Sequence, residues 1–282
     1  MINPSFSPDL LYDLRQLFSF PFMVNALEAG TIVAVLAAVV GWYMVLRRQA
    51  FAGHTLAVMS FPGATGAALA GLPGVLGYYL ACVGAALAMR GSRRGTGSRV
   101  TETATIGTVQ AVGLAAGFLF LSLNQNVLGG PETLLFGTFL GVTQGQVLSL
   151  LGVALAAVIG LAVASRPLLL ASVDPELAEA RGVAVSWLDL GFLLLLGLAV
   201  AATSQITGAL LVFALLVAPP ATAQLITLRP WLGMALSVVF GLVIVWLGLA
   251  AAYFSPYPVG FFITTFAFAL YVLVAVWRWV RS

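Results

Sequence analysis

Apolar residues fall in long blocks along this chain, and short polar links separate them. The blocks cover 22–46, 55–71, 74–89, 104–123, 147–165, 187–203, 208–227, 231–254 and 261–276. Each is close to the roughly 20 residues that a helix needs to cross the hydrocarbon core of a bilayer. Strands of a membrane barrel would be shorter and would alternate between apolar and polar. The pattern predicts an all-α polytopic membrane protein with about nine transmembrane helices. Eight is the alternative, with the first or fifth boundary a re-entrant or interfacial helix. No internal repeat stands out, and residues 1–282 read as a single transmembrane domain.

The links between blocks differ in charge. Arg47 and Arg48 follow the first block, and RGSRRGTGSR, with Arg90, Arg93, Arg94 and Arg99, follows the third. Arg166 follows the fifth, Arg229 the seventh, and RWVRS ends the chain after the ninth. By contrast NQNVLGGPET and SPYPVG contain no basic residue. Arginine therefore collects on every second link, which the positive-inside rule assigns to the cytoplasm. The N-terminus is then outside and the C-terminus inside, with Trp277 and Trp279 at the interfacial belt.

Composition narrows the function. Only 7% of residues are charged, against about 25% in soluble domains. All 12 basic residues are arginine, so no phosphate loop with its lysine exists here. Cys82 is the single cysteine and permits neither an internal disulfide nor a cysteine metal site. Asp9 and Asp13 stand where a signal peptide would be basic, so no cleaved leader is expected. One histidine and nine carboxylates make a Ser/His/Asp hydrolase implausible. Composition therefore favours a transporter or channel over an enzyme.

The most charged stretch is VDPELAEARGVAV, between the fifth and sixth blocks. Asp174 before Pro175 is a good N-cap followed by a good first helical residue, and Gly182 is a good stop. A short bounded helix over about 174–182 is predicted, either a solvated link or a docking element. Glu28 lies toward the outer end of the first block and reads as a snorkelling or interhelical hydrogen-bonded group. Glu102 opens the fourth block, where a carboxylate suits the helix dipole, with Thr101 as its cap. Pro62-Gly63 and Pro219-Pro220 interrupt helical hydrogen bonding, which lipid tolerates only where protein or water re-satisfies the backbone.

Several blocks together resemble a known family. FMVNALEAGTIVAVLAAVVGWYMVLRRQAFAGHTLAVMSFPG, TETATIGTVQAVGLAAG, LLFGTFLGV, VDPELAEARGV, TGALLVFALLVAPPATA and PVGFFI occur in this order. They resemble the zinc/manganese/iron permeases of ABC importers, the ABC-3 family. The resemblance implies a membrane-spanning permease subunit, working as a homodimer. ATP and magnesium would be bound by a separate ATPase subunit, with no cofactor in this chain. An extracytoplasmic solute-binding protein would deliver the cargo, a divalent transition metal of the zinc or manganese class. It further implies a multi-pass protein of the bacterial cytoplasmic membrane with no nucleic-acid partner. VDPELAEARGV resembles the family's coupling loop, which implies ATPase docking by Asp174, Glu176, Arg181 and Gly182. The alternatives are a permease of the same fold for a metal chelate or non-metal solute, or an ion-gradient-driven secondary transporter.

The resemblance breaks at one point. The family reads Gly-Asp-Ala-Leu-Ser-His-Ala-x-x-Pro-Gly in the second block. Here Gly53, Leu56, Pro62 and Gly63 are kept, His54 replaces the aspartate, and Val58 replaces the histidine. Positions four apart share a helix face. A carboxylate and an imidazole there would form a site for a divalent cation, whereas this face offers one imidazole. The expected substrate pathway comprises His54, Glu102, Pro62 and Gly63, with His54 the metal ligand, contributed by each protomer across the dimer axis. The other reading makes His54 a structural or hydrogen-bonding residue at the helix end.

The arginine bias fixes a testable topology. In a background lacking Cys82, cysteines placed at Ser98 and Ser282 are expected to resist impermeant maleimides in intact cells. Cysteines at Asn126 and Ser255 are expected to react. Reaction at either of the first two positions would refute the orientation.

Overall fold

The computed structural model describes residues 18–95, 99–124 and 137–281, together with residues 16 and 134, the side chains of 91–95, 99–103 and 140 excepted. The helices are α1 (Pro21–Leu46), α2 (Ala50–Leu69), α3 (Gly74–Gly95), α4 (Arg99–Leu123), α5 (Gln144–Val173), α6 (Pro175–Ala180), α7 (Val185–Thr207), α8 (Ala209–Ile226), α9 (Pro230–Tyr253) and α10 (Val259–Arg281). Among the described residues there is no strand. Nine of these helices are long and one is short, and seven are long and apolar enough to cross a membrane on length and composition alone. The expected count of about nine spans is thus roughly matched. The other two long helices are α2 and α3; α2 carries His54 and Pro62, and the apolar part of α3 runs only from Gly74 to Arg90.

Observed helix ends follow local chemistry. Thr143 caps α5 in a reciprocal box: the Gln146 N–H donates to Thr143 Oγ1, and the Thr143 N–H donates to Gln146 Oε1 at 2.9 Å. Pro21 and Pro230 open α1 and α9, where a missing N–H costs nothing. One boundary departs from expectation. The fifth span was placed at 147–165, before Arg166-Pro167, yet α5 continues through Pro167 to Val173. Leu168 and Ala171 are buried in that extension, so packing holds the helix where proline alone would favour an end.

Of the seven helices long and apolar enough to cross a membrane, the most enclosed is α1, which packs against α5, α7, α8 and α9. Its buried face is rich in small residues: Ala26, Ala29, Gly30, Ala34, Ala37, Ala38 and Gly41. Lipid tails are as apolar as leucine, so helices here associate through close packing rather than water exclusion. At Gly41, α1 meets the backbone carbonyl of Leu216 in α8. Pro220, four residues on, has no N–H to give that carbonyl, so the two features belong together. A second close crossing joins α2 to α3. A Cβ on Gly63 would collide with the Gly77 carbonyl, and one on Gly77 with the Gly63 carbonyl.

Helix ends gather by face. Arg47 at the end of α1 touches both Ser172 near the end of α5 and Asp189 near the start of α7. Arg90 of α3 lies over the Trp187 ring of α7. These links form the arginine-rich face. On the opposite face the Thr138 N–H donates to the Ile206 carbonyl at 3.0 Å, covering the end of α7. There a single residue, Gly208, joins α7 to α8, with φ 77° and ψ 162°. That backbone region is open essentially to glycine alone.

Leucine in place of Gly77 is expected to separate α2 from α3 and to cost about 3 kcal/mol, the upper range for overpacking. Unfolding in mixed detergent micelles measures it. Gly84→Ala, which meets nothing within 4 Å, serves as the unperturbed control.

Candidate functional site

His54 is the fifth residue of α2, on the second turn from the arginine-rich face. The turn before it is tight. Arg48 has φ 55°, the Arg48 N–H donates to the Val45 carbonyl, and the Gln49 N–H to the Met44 carbonyl. This is the hydrogen-bond pattern of a left-handed C-terminal cap, with arginine where glycine is usual. The α1–α2 corner is therefore a stiff one, and α2 starts one residue beyond it.

The His54 imidazole is half-buried and leans on Phe213 of α8, with ring centroids 4.6 Å apart and planes tilted by 58°. Its Nδ1 is buried and meets no hydrogen-bond partner among the described residues. Val58, one turn further, is 5% exposed. Pro62 is buried inside α2 and cannot donate to the Val58 carbonyl four residues back. Gly63 lies at the α2–α3 crossing. Thr55, beside His54, donates to Gln110 Oε1 of α4 at 3.2 Å. Glu102 falls in the first turn of α4, which begins at Arg99, so Thr101 lies within the helix rather than capping it. The side chain of Glu102 is outside the described ones. Among the described residues no three His, Cys, Asp or Glu side chains gather as a metal site within one protomer.

The predicted short helix is present as α6. Asp174 caps it: its Oδ1 accepts from the Leu177 N–H at 2.9 Å. Pro175 occupies the first turn. Gly182 ends it with φ 80°, the Gly182 N–H donating to Glu179 and the Val183 N–H to Ala178. Ala178, fully buried, fixes α6 against the ends of α5 and α7. Asp174, Glu176, Glu179, Arg181 and Gly182 are all exposed. A helix with one small buried residue and a charged outer surface is built to be presented.

His54 and α6 lie at the same face, joined by residues that the sequence reading passed over. The Arg47 guanidinium pairs with the Asp189 carboxylate and donates to Ser172 Oγ at 3.2 Å. Asp189 was the available signal: it is a carboxylate inside an apolar block, WLDLGFLLLL. Glu28 is exposed near the opposite face and accepts from Gln144 Nε2 at 3.5 Å, an interhelical contact.

The sequence profile of the ABC 3 transport family matches residues 19–278. The chain is 30% identical over 247 residues to the manganese transport system membrane protein MntC of Halalkalibacterium halodurans, covering 88% of this chain and 83% of that one. It is 32% identical to the chelated iron transport system membrane protein YfeC of Yersinia pestis, covering 77% and 72% of the two chains. PsaBC from Streptococcus pneumoniae, solved in complex with Fab, superposes with a TM-score of 0.83 at 26% identity, over 94% of this chain and 95% of that one. A putative metal-chelate type ABC transporter in an inward-facing conformation superposes at 0.72 and 18% identity, a likeness of fold.

The cap of α6 is open to measurement. Asp174→Ala is expected to cost about 1 kcal/mol of local stability. The Leu177 amide should then exchange hydrogen roughly fivefold faster, read by mass spectrometry, while amides in the middle of α1 stay unchanged.

Proposed function

The chain belongs to the ABC 3 transport family and is a membrane permease subunit of an ABC transporter, and we propose that it imports a divalent transition metal. The observation that carries this reading is the alignment, across most of the chain, with relatives named for manganese and for chelated iron. ATP hydrolysis belongs to a separate ATPase subunit that binds the nucleotide and magnesium. The exposed helix α6, with Asp174, Glu176, Arg181 and Gly182, docks on that subunit. An extracytoplasmic binding protein supplies the metal, and two copies of this chain enclose the pathway in the bacterial cytoplasmic membrane.

The site at His54 differs chemically from the family pattern. Two His54 side chains, one from each protomer, provide nitrogen ligands without negative charge. Pro62 leaves the Val58 carbonyl without a helical donor, and that oxygen is the second ligand this turn can offer. Nitrogen donors favour zinc and the later first-row ions over manganese, which prefers oxygen. A transient site also benefits from weak binding, because a dication held by uncompensated imidazoles leaves readily. Pro62, Gly63 and Glu102 complete the pathway.

The deciding experiment compares uptake of zinc and manganese by variants at this turn. His54→Ala is expected to lower zinc uptake by at least about tenfold, the loss of one charge-assisted or coordinate contact in a buried site. His54→Asp combined with Val58→His is expected to restore uptake and raise tolerance for manganese. Unchanged uptake and selectivity in His54→Ala would exclude His54 as a ligand and favour a metal chelate or a non-metal solute as cargo.

A further inference from the structure

Arg47 closes α1, yet its side chain belongs to the elements that hold α6. The guanidinium is 6% exposed. It donates to Ser172 Oγ, two residues before the Asp174 cap, and it pairs with Asp189, in the second turn of α7. Its Cζ lies 5.4 Å from the centre of the Phe192 ring. Ser172 stands on the arm entering α6, and Asp189 on the arm leaving it. One charged group thus bridges both arms of the short helix to the α1–α2 corner. That corner is the left-handed turn at Arg48, and His54 follows on the same helix six residues later. A second arginine, Arg90 of α3, grips the same start of α7 from another side, 4.2 Å from the Trp187 ring.

We propose that Arg47 is the strut through which movement of α6 reaches α2, a positioning residue that couples the ATPase to the pathway turn at His54. Three properties of the contact suit it to that task. An arginine–carboxylate pair is directional, because the guanidinium offers a fixed fork of donors. Burial raises the cost of separating the two charges without replacing their partners. The corner that carries Arg47 is held by three backbone hydrogen bonds, from the Arg47, Arg48 and Gln49 N–H groups, and transmits displacement instead of absorbing it. If α6 shifts with its two arms, Ser172 and Asp189 shift together, and the strut takes the α1–α2 corner with them. Without the strut, α6 would move against a corner from which the charged link to both of its arms has been removed. The inference rests on the permease reading above and adds the residue that links its two halves.

The test places the full chain with its ATPase in proteoliposomes and reads zinc or manganese uptake beside ATP hydrolysis. Arg47→Gln and Asp189→Asn are each expected to keep the ATPase bound and turning over, while metal carried per ATP falls about tenfold, within the range of coupling between sites. The exchange Arg47→Asp with Asp189→Arg is expected to recover part of that loss, which a packing role alone would not do. Ser172→Ala, which leaves the charge pair intact, gives a smaller fall in the same ratio. An unchanged ratio in both single variants overturns the strut. So does a loss of folding in both of them that the exchange fails to repair. Absence of ATP-dependent uptake by the unsubstituted chain is a separate result. It would overturn the metal-import reading, and the strut with it.

Discussion

Every backbone polar group in a lipid-embedded chain must find its partner within the protein, and helices gain nothing from hiding apolar surface in apolar surroundings. The structure depends on that double constraint. It explains why half of the buried residues of α1, which meets four other long helices, are alanine or glycine. It also bears on two of the prolines inside helices, which sit at or beside close crossings. Pro220 frees the Leu216 carbonyl where Gly41 lets α1 approach it, and Pro62 lies one residue from the Gly63–Gly77 contact. At Leu216 the proline deprives a carbonyl of its donor, and the glycine brings another backbone close enough to shield it. Weak Cα–H donors at such a crossing are the ordinary partners of a freed carbonyl.

Among the described residues, the contacts between opposite charges and between cations and rings that join different helices lie at one face. Among the described residues the buried ion pair is Arg47–Asp189, and the cation–π contact of Arg90 with Trp187 is its neighbour. Both hold the beginning of α7, and α7 follows α6 after a four-residue link. Polar contacts at the other face are neutral or long, such as Gln144 with Glu28 and Asn25 with Val142. The two faces of the molecule are thus held by different chemistry, charged contacts at the short helix and neutral hydrogen bonds and helix caps at the other end.

Much of this was legible in the residues. Nine blocks of apolar residues became nine long helices, because a hydropathy block of about 20 residues has few other solutions in a membrane. The short helix was legible to its last residue, since Asp174-Pro175 and Gly182 are local signals whose meaning does not depend on the rest of the fold. The end of the fifth helix was not, because Pro167 is a local stop signal that buried Leu168 and Ala171 overrule. The strut was invisible for a different reason. Arg47 looked like one more charge on a cytoplasmic link, and Asp189 lay in a separate block 142 residues away. Only the fold brings them into contact. His54 is intermediate: its oddness was plain from the lost aspartate, but its lean on Phe213 of α8 was not.

That lean gives the corner at Gly208 an importance beyond its own backbone. One residue joins α7 to α8, so the link has no slack, and the rotational phase of α8 is inherited directly from α7. Each residue along an α-helix advances the side-chain direction by about 100°. A single insertion or deletion at Gly208 would therefore turn Phe213 away from the His54 imidazole and present a different side chain to it. Long links elsewhere can lengthen or shorten while the helices keep their faces. At this corner length and facing are the same variable, and the backbone angles at Gly208 fix the residue as firmly as the packing of Phe213 on His54 fixes the length.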